Sequence, residues 1–214
     1  MRKVAVLIAS TILLAGCGAG APTPNPALTP APVPAGWTFT SWHNPDLEVA
    51  LPSDWSGYDP TPTTRPEDLA SLAPDQQVAR RWGDQKITAG VVRFAGSGKI
   101  ATPLGTVGHG SLWIIVESGD ASLDAFADRS MREARALGLA PTRTTVVLPA
   151  GVAALLSYSG QFGLWPKFVE RDYLYRLPDG RSLTLMIAGL DTAATDAVVD
   201  DFAARVIATL RPTS

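Results

Sequence analysis

Phe168-Val169-Glu170-Arg171-Asp172-Tyr173-Leu174-Tyr175-Arg176-Leu177, then Pro178-Asp179-Gly180-Arg181, then Ser182-Leu183-Thr184-Leu185-Met186-Ile187-Ala188, decide the architecture of this chain. Two runs rich in aliphatic, aromatic and β-branched residues flank four residues of turn chemistry, which is the pattern of two strands joined by a tight reversal. Strands joined in this way must be antiparallel. Upstream, Arg143–Leu148 and Val152–Ser159 repeat the arrangement around the turn Pro149-Ala150-Gly151. Downstream, Val198, Val199, Phe202, Val206 and Leu210 recur at helical spacing, with Asp191 or Thr192 available as the cap and Pro212 just beyond the end. A second helix is predicted after Ser122, where Leu123, Phe126, Ala127, Ser130, Met131, Ala134 and Leu137 form one face and Gly138 the stop. Its other face carries Asp124, Asp128, Arg132 and Glu133. Two amphipathic helices need a sheet to cover, so the fold class is α+β, with an antiparallel central sheet flanked by helices.

Nearer the N-terminus, Trp37–Trp42 and Leu47–Leu51 alternate at the strand period, and His43-Asn44-Pro45-Asp46 supplies a turn between them. Pro60, Pro62 and Pro66 mark irregular chain before short helical candidates at Glu67–Leu72 and Asp75–Trp82. Ile87–Phe94 and Leu112–Glu117 are strand-like. The glycine-rich stretch from Gly96 to Gly110 between them has neither period and is expected as a long loop. Residues 37–214 show no second proline-rich break and no repeat, which predicts a single domain.

The order Leu51-Pro52-Ser53-Asp54-Trp55, then Leu148-Pro149-Ala150-Gly151, then strand, Asp-Gly turn, strand and helix from Tyr173 to Leu210 resembles the PsbP-like family of secreted and lipidated proteins. The resemblance implies an α/β/α sandwich and a role as an accessory, binding or assembly factor. It supplies no catalytic residues.

The first sixteen residues have the parts of an export signal: Arg2 and Lys3, an apolar run from Val4 to Leu14, then Ala15 and Gly16. The apolar run is about half of the ~20 residues a spanning helix needs. Its ending, Leu14-Ala15-Gly16-Cys17, resembles the lipobox of bacterial lipoproteins, which implies cleavage before Cys17 and acylation of its thiol and new amino terminus. Two or three acyl chains make a stable anchor, at ~0.8 kcal/mol per buried methylene. Cys17 is the only cysteine, so no disulfide, thiolate metal site or cysteine nucleophile is expected in the mature chain. From 17 to 36 the chain is a tether, with prolines at 22, 24, 26, 30, 32 and 34 and no charge before Asp46. Alternate prolines favour extended, partly polyproline II geometry with a reach up to ~50–60 Å. Loss of Arg2 and Lys3 lowers the 18 basic side chains to 16 against 20 acidic ones, a formal charge of −4. That balance disfavours a nucleic-acid partner.

No cofactor or metal is expected. Gly96-Ser97-Gly98-Lys99 imitates part of a phosphate loop, but Arg93 stands where its first glycine belongs and Ile100 where a Ser or Thr should bind magnesium. Two histidines without ligand spacing make no zinc site, and Asp179-Gly180 lacks the other ligands of a calcium loop. His109 and Ser111 lie two residues apart, with Glu117 or Asp120 as possible orienting acids, the skeleton of a serine hydrolase without the G-x-S-x-G elbow. A loop histidine is the simpler reading, so no catalytic residues are assigned. Trp37, Trp42 and Trp113 fall in strand patterns and are expected in the core. The connection 160–167 differs, since it carries Phe162, Leu164 and Trp165 between glycines and a proline. Large apolar side chains on a connection either cap the core or meet a partner, and these three are the candidate binding residues.

The sequence therefore predicts a lipid-anchored domain outside the cytoplasm, on the cell membrane or outer membrane. It would act as a non-catalytic binding or assembly module, its partner an envelope protein or a small molecule. A carrier or sensor of a small apolar or glycan ligand is the alternative, and a serine hydrolase the third. A closed apolar cavity in the fold would favour the carrier, whereas His109, Ser111 and an acid within hydrogen-bond reach beside two free amides would favour the hydrolase.

Overall fold

The computed structural model describes residues 30–42, 46–58, 70–190 and 193–212. The expected leader, Cys17 and most of the expected tether lie outside this range, as do Asp191, Thr192 and much of the turn 43–46 and of the helical candidate at 67–72.

Ten strands and three helices are present among the described residues. In chain order the strands are β1 (Trp37–Trp42), β2 (Leu47–Pro52), β3 (Ser56–Tyr58), β4 (Val92–Thr102), β5 (Gly105–Glu117), β6 (Thr142–Leu148), β7 (Gly151–Gly160), β8 (Phe168–Arg176), β9 (Ser182–Leu190) and β10 (Arg211–Pro212). The helices are α1 (Pro74–Thr88), α2 (Leu123–Ala136) and α3 (Asp196–Ala208). A seven-stranded sheet in the order β3-β4-β5-β9-β8-β7-β6 forms the centre, and every neighbouring pair is antiparallel. The opening hairpin does not join it; β1 and β2 pair Trp37 with Pro52 through Trp42 with Leu47 and form a separate sheet with β10.

Strand alternation sorts the side chains between two cores. Leu112, Ile114 and Val116 of β5, Tyr173 and Tyr175 of β8, and Leu183, Leu185 and Ile187 of β9 pack with α3 and the small sheet. On the opposite face, Ala154, Leu156 and Tyr158 of β7 and Phe168 and Leu174 of β8 pack with Phe126 and Ala127 of α2. Helices thus lie on both faces, as an α/β/α sandwich requires. Arg171 fastens α3 to the sheet: its guanidinium, 3% exposed with the residue, donates to Asp200 Oδ1 at 2.6 Å and Asp196 Oδ1 at 2.7 Å.

The caps explain the helix limits. Ser122 Oγ accepts from Ala125 N–H at 3.1 Å, and Gly138 (φ +81°) ends α2 in a Schellman turn, with Leu139 N–H on Ala134 C=O and Gly138 N–H on Arg135 C=O. Thr195, rather than Asp191 or Thr192, caps α3. Ahead of β1, Ala31 N–H donates to Ala208 C=O at 2.7 Å and Ser53 N–H to Gly36 C=O at 2.9 Å, so this end of the expected tether is bonded to the domain at both residues.

The expected loop 96–110 is instead the body of the β4–β5 ribbon, which reverses at Pro103-Leu104. Its glycines are strand residues that make room for rings. A Cβ on Gly110 would sit 2.5 Å from Ile100 and 3.0 Å from the Trp55 ring, and one on Gly96 would sit 2.8 Å from the Phe94 ring. Trp55 crosses this bare strand surface, donates from its indole to Lys99 C=O at 2.9 Å, and stacks on Phe202 at 5.2 Å. Ile87 is not in a strand; it belongs to the last turn of α1, which is longer than Asp75–Trp82, and β4 begins at Val92.

Candidate functional site

α1 lies over the α2 side of the sheet without being bedded in it. Its single buried residue is the polar Gln76, so it lacks the apolar stripe that normally fixes a helix to a sheet. Polar contacts hold it at both ends. Gln76 Oε1 accepts from Ala73 N–H and Gln76 Nε2 donates to Phe162 C=O, both at 3.0 Å, while Asp75 Oδ2 accepts from Gly163 N–H at 2.7 Å. At the other end Lys86 Nζ lies 2.6 Å from Glu117 and 3.2 Å from Glu133. Glu133, expected on the open face of α2, is therefore turned into a charged cluster. Burial works against its charge, but Lys86 and Arg129 pull its pKa below the ordinary value. Arg129 also bonds Glu117 and Asp120, both at 3.0 Å, and its hydrogen bond lowers the pKa of Asp120.

Between these two attachments a groove of about 760 Å³ runs beneath α1, within the ~300–1,000 Å³ that drug-sized ligands occupy. Trp82 of α1, Trp113 of β5, Phe162 and Trp165 of the β7–β8 connection, and Phe168 of β8 line it. Trp113 is thus not a core residue. It is half-exposed, and its indole donates to Tyr58 Oη at 3.2 Å. A smaller chamber of about 180 Å³ continues inward, sharing Trp82, Phe162, Phe168 and Glu170 with the groove.

The chamber contains a feature the sequence reading missed. Glu170 and Asp172 lie two residues apart on one face of β8, and the Tyr158 hydroxyl lies 2.6 Å from Glu170 Oε1 and 2.6 Å from Asp172 Oδ2. A phenol has one proton to give. It can donate to one carboxylate and must accept from the other, so one acid is protonated in this arrangement. Burial pushes the Asp172 pKa from 3.8 up to about 7, and burial together with the Asp172 charge pushes Glu170 well above its ordinary value. Burial and the two acids likewise raise Tyr158. Asp172 is 8% exposed and its Oδ1 has no hydrogen-bond partner. The only sequence signal was that β8 carries two carboxylates on one face, and nothing local indicates that a helix covers that face.

The three candidate residues of the connection separate into different environments. Phe162 stacks on Phe168 at 5.3 Å and packs against the core, Trp165 meets Phe162 edge-on at 6.3 Å and lines the groove, and Leu164 is 98% exposed. His109 and Ser111 both line the groove from β5. Among the described residues no side-chain hydrogen bond joins them or ties His109 to an acid. Glu117 and Asp120 are instead engaged by Lys86 and Arg129. No group of three metal-ligating residues occurs among the described residues, and no helix there is long and apolar enough to cross a membrane.

No protein-family model and no curated protein matches the chain. Among solved structures, the solution structure of cyanobacterial PsbP (CyanoP) from Synechocystis sp. PCC 6803 aligns with a TM-score of 0.50 at 12% identity, covering 84% of this chain and 94% of that one. At that identity the likeness is one of fold: the described domain shares the α+β architecture of that structure.

Proposed function

We propose that the protein is a non-catalytic binding module of the cell envelope, anchored through lipid on Cys17, that takes a small ligand in the groove beneath α1. The observation that carries this reading is the groove itself: about 760 Å³ with tryptophan and phenylalanine walls, under a helix attached by polar contacts at its ends. Aromatic walls offer a ligand large contact area at little cost in side-chain freedom, and the few polar groups at the inner end can orient it. The leader ending Leu14-Ala15-Gly16-Cys17 supports anchoring and a site of action outside the cytoplasm.

Two experiments test the two halves. A thermal-shift screen of amines, alcohols, carboxylates and sugars is expected to find ligands whose effect Trp113→Ala abolishes; ligands indifferent to Trp113→Ala would place binding elsewhere. Cys17→Ala is expected to leave an uncleaved precursor or a soluble protein, and normal acylation of that variant would remove the anchor. A protein partner is the second reading, favoured by Leu164, fully exposed between two groove residues. Leu164→Ser would impair capture of such a partner and leave small-molecule binding unchanged.

A further inference from the structure

We infer that the inner end of the groove is a recognition site for the ammonium group of an organic amine whose apolar or aromatic body lies along the groove. The inference rests on the groove being the binding site and names the ligand class.

Charge distribution is the first support. Around the chamber, Lys86 comes from α1, Glu117 from β5, Glu133 from α2, Glu170 and Asp172 from β8, and Tyr158 from β7. The cations are already committed: Lys86 to Glu117 and Glu133, and neighbouring Arg129 to Glu117, Asp120 and Glu133. Among the described residues no cation is bonded to Glu170 or Asp172. The two carboxyls, Asp172 buried and Glu170 half-buried, thus face each other and a phenol, and such a pair resists ionising until a positive charge arrives.

Hydrogen bonding is the second. Asp172 Oδ1 is an acceptor without a donor, in a residue 8% exposed on the chamber wall. A buried polar atom left unpaired is costly, and a donor brought by a ligand would relieve it. An ammonium group has three donors and a full charge, enough to serve Asp172 Oδ1 and a Glu170 oxygen together. A hydroxyl brings one donor and no charge, and a carboxylate ligand would meet the acids with like charge. The walls fit the same guest, because Trp82, Phe162 and Phe168 border both chamber and groove, and aromatic faces attract cations. Since one acid is protonated before binding and both are best ionised around an ammonium, binding releases a proton to solvent.

Calorimetric titration of the purified protein with 2-phenylethylamine, 2-phenylethanol and 3-phenylpropionate compares three heads on one kind of body. The amine is expected to bind at least about tenfold tighter than the alcohol, with the carboxylate weakest. Below pH about 7 its affinity should rise at least about tenfold per pH unit as one or more protons are released, and the measured heat should vary with the ionisation enthalpy of the buffer. Asp172→Asn should lower the number of protons released and cost the amine at least about tenfold, with a smaller loss for 2-phenylethanol. Glu170→Gln provides the same readout should Asp172→Asn unfold. Equal affinity for amine and alcohol, or an amine affinity indifferent to both variants, overturns the inference. If the amine fails while a neutral or anionic ligand binds in a Trp113-dependent way, the groove reading stands and the ammonium site falls; if no ligand depends on Trp113, both fall.

Discussion

Replacing Asp172 by asparagine removes a carboxyl that the native fold keeps from ionising until about pH 7, against 3.8 when it is freely solvated. The consequence for stability has a definite sign. Below pH about 4 the group is protonated in both native and unfolded chains and its contribution to stability is fully present. Between about pH 4 and 7 the unfolded chain releases the proton and the native one retains it, so stability is lost across that window and levels off above it. Three pH units at about 1.4 kcal/mol each give a ceiling on the order of 4 kcal/mol. Asparagine has nearly the same shape and no charge to desolvate. Asp172→Asn should therefore match the parent protein within about 1 kcal/mol at pH 4 and exceed it by several kcal/mol at pH 8. Glu170 stays in both proteins, and loss of the neighbouring charge relieves its own upward shift, which adds to the gain. Urea unfolding followed by tryptophan fluorescence at pH 4 to 8 measures the difference. A variant whose stability runs parallel to the parent at every pH would show that Asp172 ionises normally and that the buried pair is not under electrostatic load.

Gly110→Ala should destabilise by about 1–3 kcal/mol, because the new methyl meets Ile100, which is fully buried, and the Trp55 ring; a thermal melt checks it. Phe162→Ala should cost about 2–4 kcal/mol through its lost stack on Phe168 and its core contacts. Leu164→Ser, two residues away, should stay within about 0.5 kcal/mol of the parent in the same melts.

The C-terminal half was legible because its signals agree with one another. Strand alternation from Phe168 to Ala188, the glycine at Gly180 (φ +87°), and the Ser122 and Gly138 limits of α2 all indicate the same local structure. The β4–β5 ribbon was not legible. Gly96, Gly98, Gly108 and Gly110 erase the apolar beat of two strands, and the rings that lie against Gly96, Gly98 and Gly110, Phe94 and Trp55, come in part from elsewhere in the chain. α1 was cut short because Ile87 and the following Val91-Val92 look like one apolar run, although Gly90 (φ +64°) lies between helix and strand. In the site, Phe162, Trp165, His109 and Ser111 were picked out by residue type. Trp113 was assigned to the core because period two identifies a face without saying whether that face is filled. Glu170 and Asp172 passed as the polar half of a strand, since burial by a distant helix leaves no local trace.

The attachment of α1 has a consequence for how that helix responds to its solution. Its N-terminal end is tied by Gln76 and Asp75 to backbone groups of residues 162 and 163, bonds in which only one partner at most is ionic. Its C-terminal end depends on the ion pairs of Lys86, of which the one to Glu133, a third exposed, is the more open to screening as the screening length falls from about 8 Å in physiological salt to about 3 Å at 1 M. Ionic strength should therefore act on the two ends unequally. Added salt is expected to speed amide exchange from Trp82 to Thr88 while leaving the first turn nearly unchanged, so that the protection profile tilts along a single helix and the end held by Lys86 loosens before the end held by Gln76.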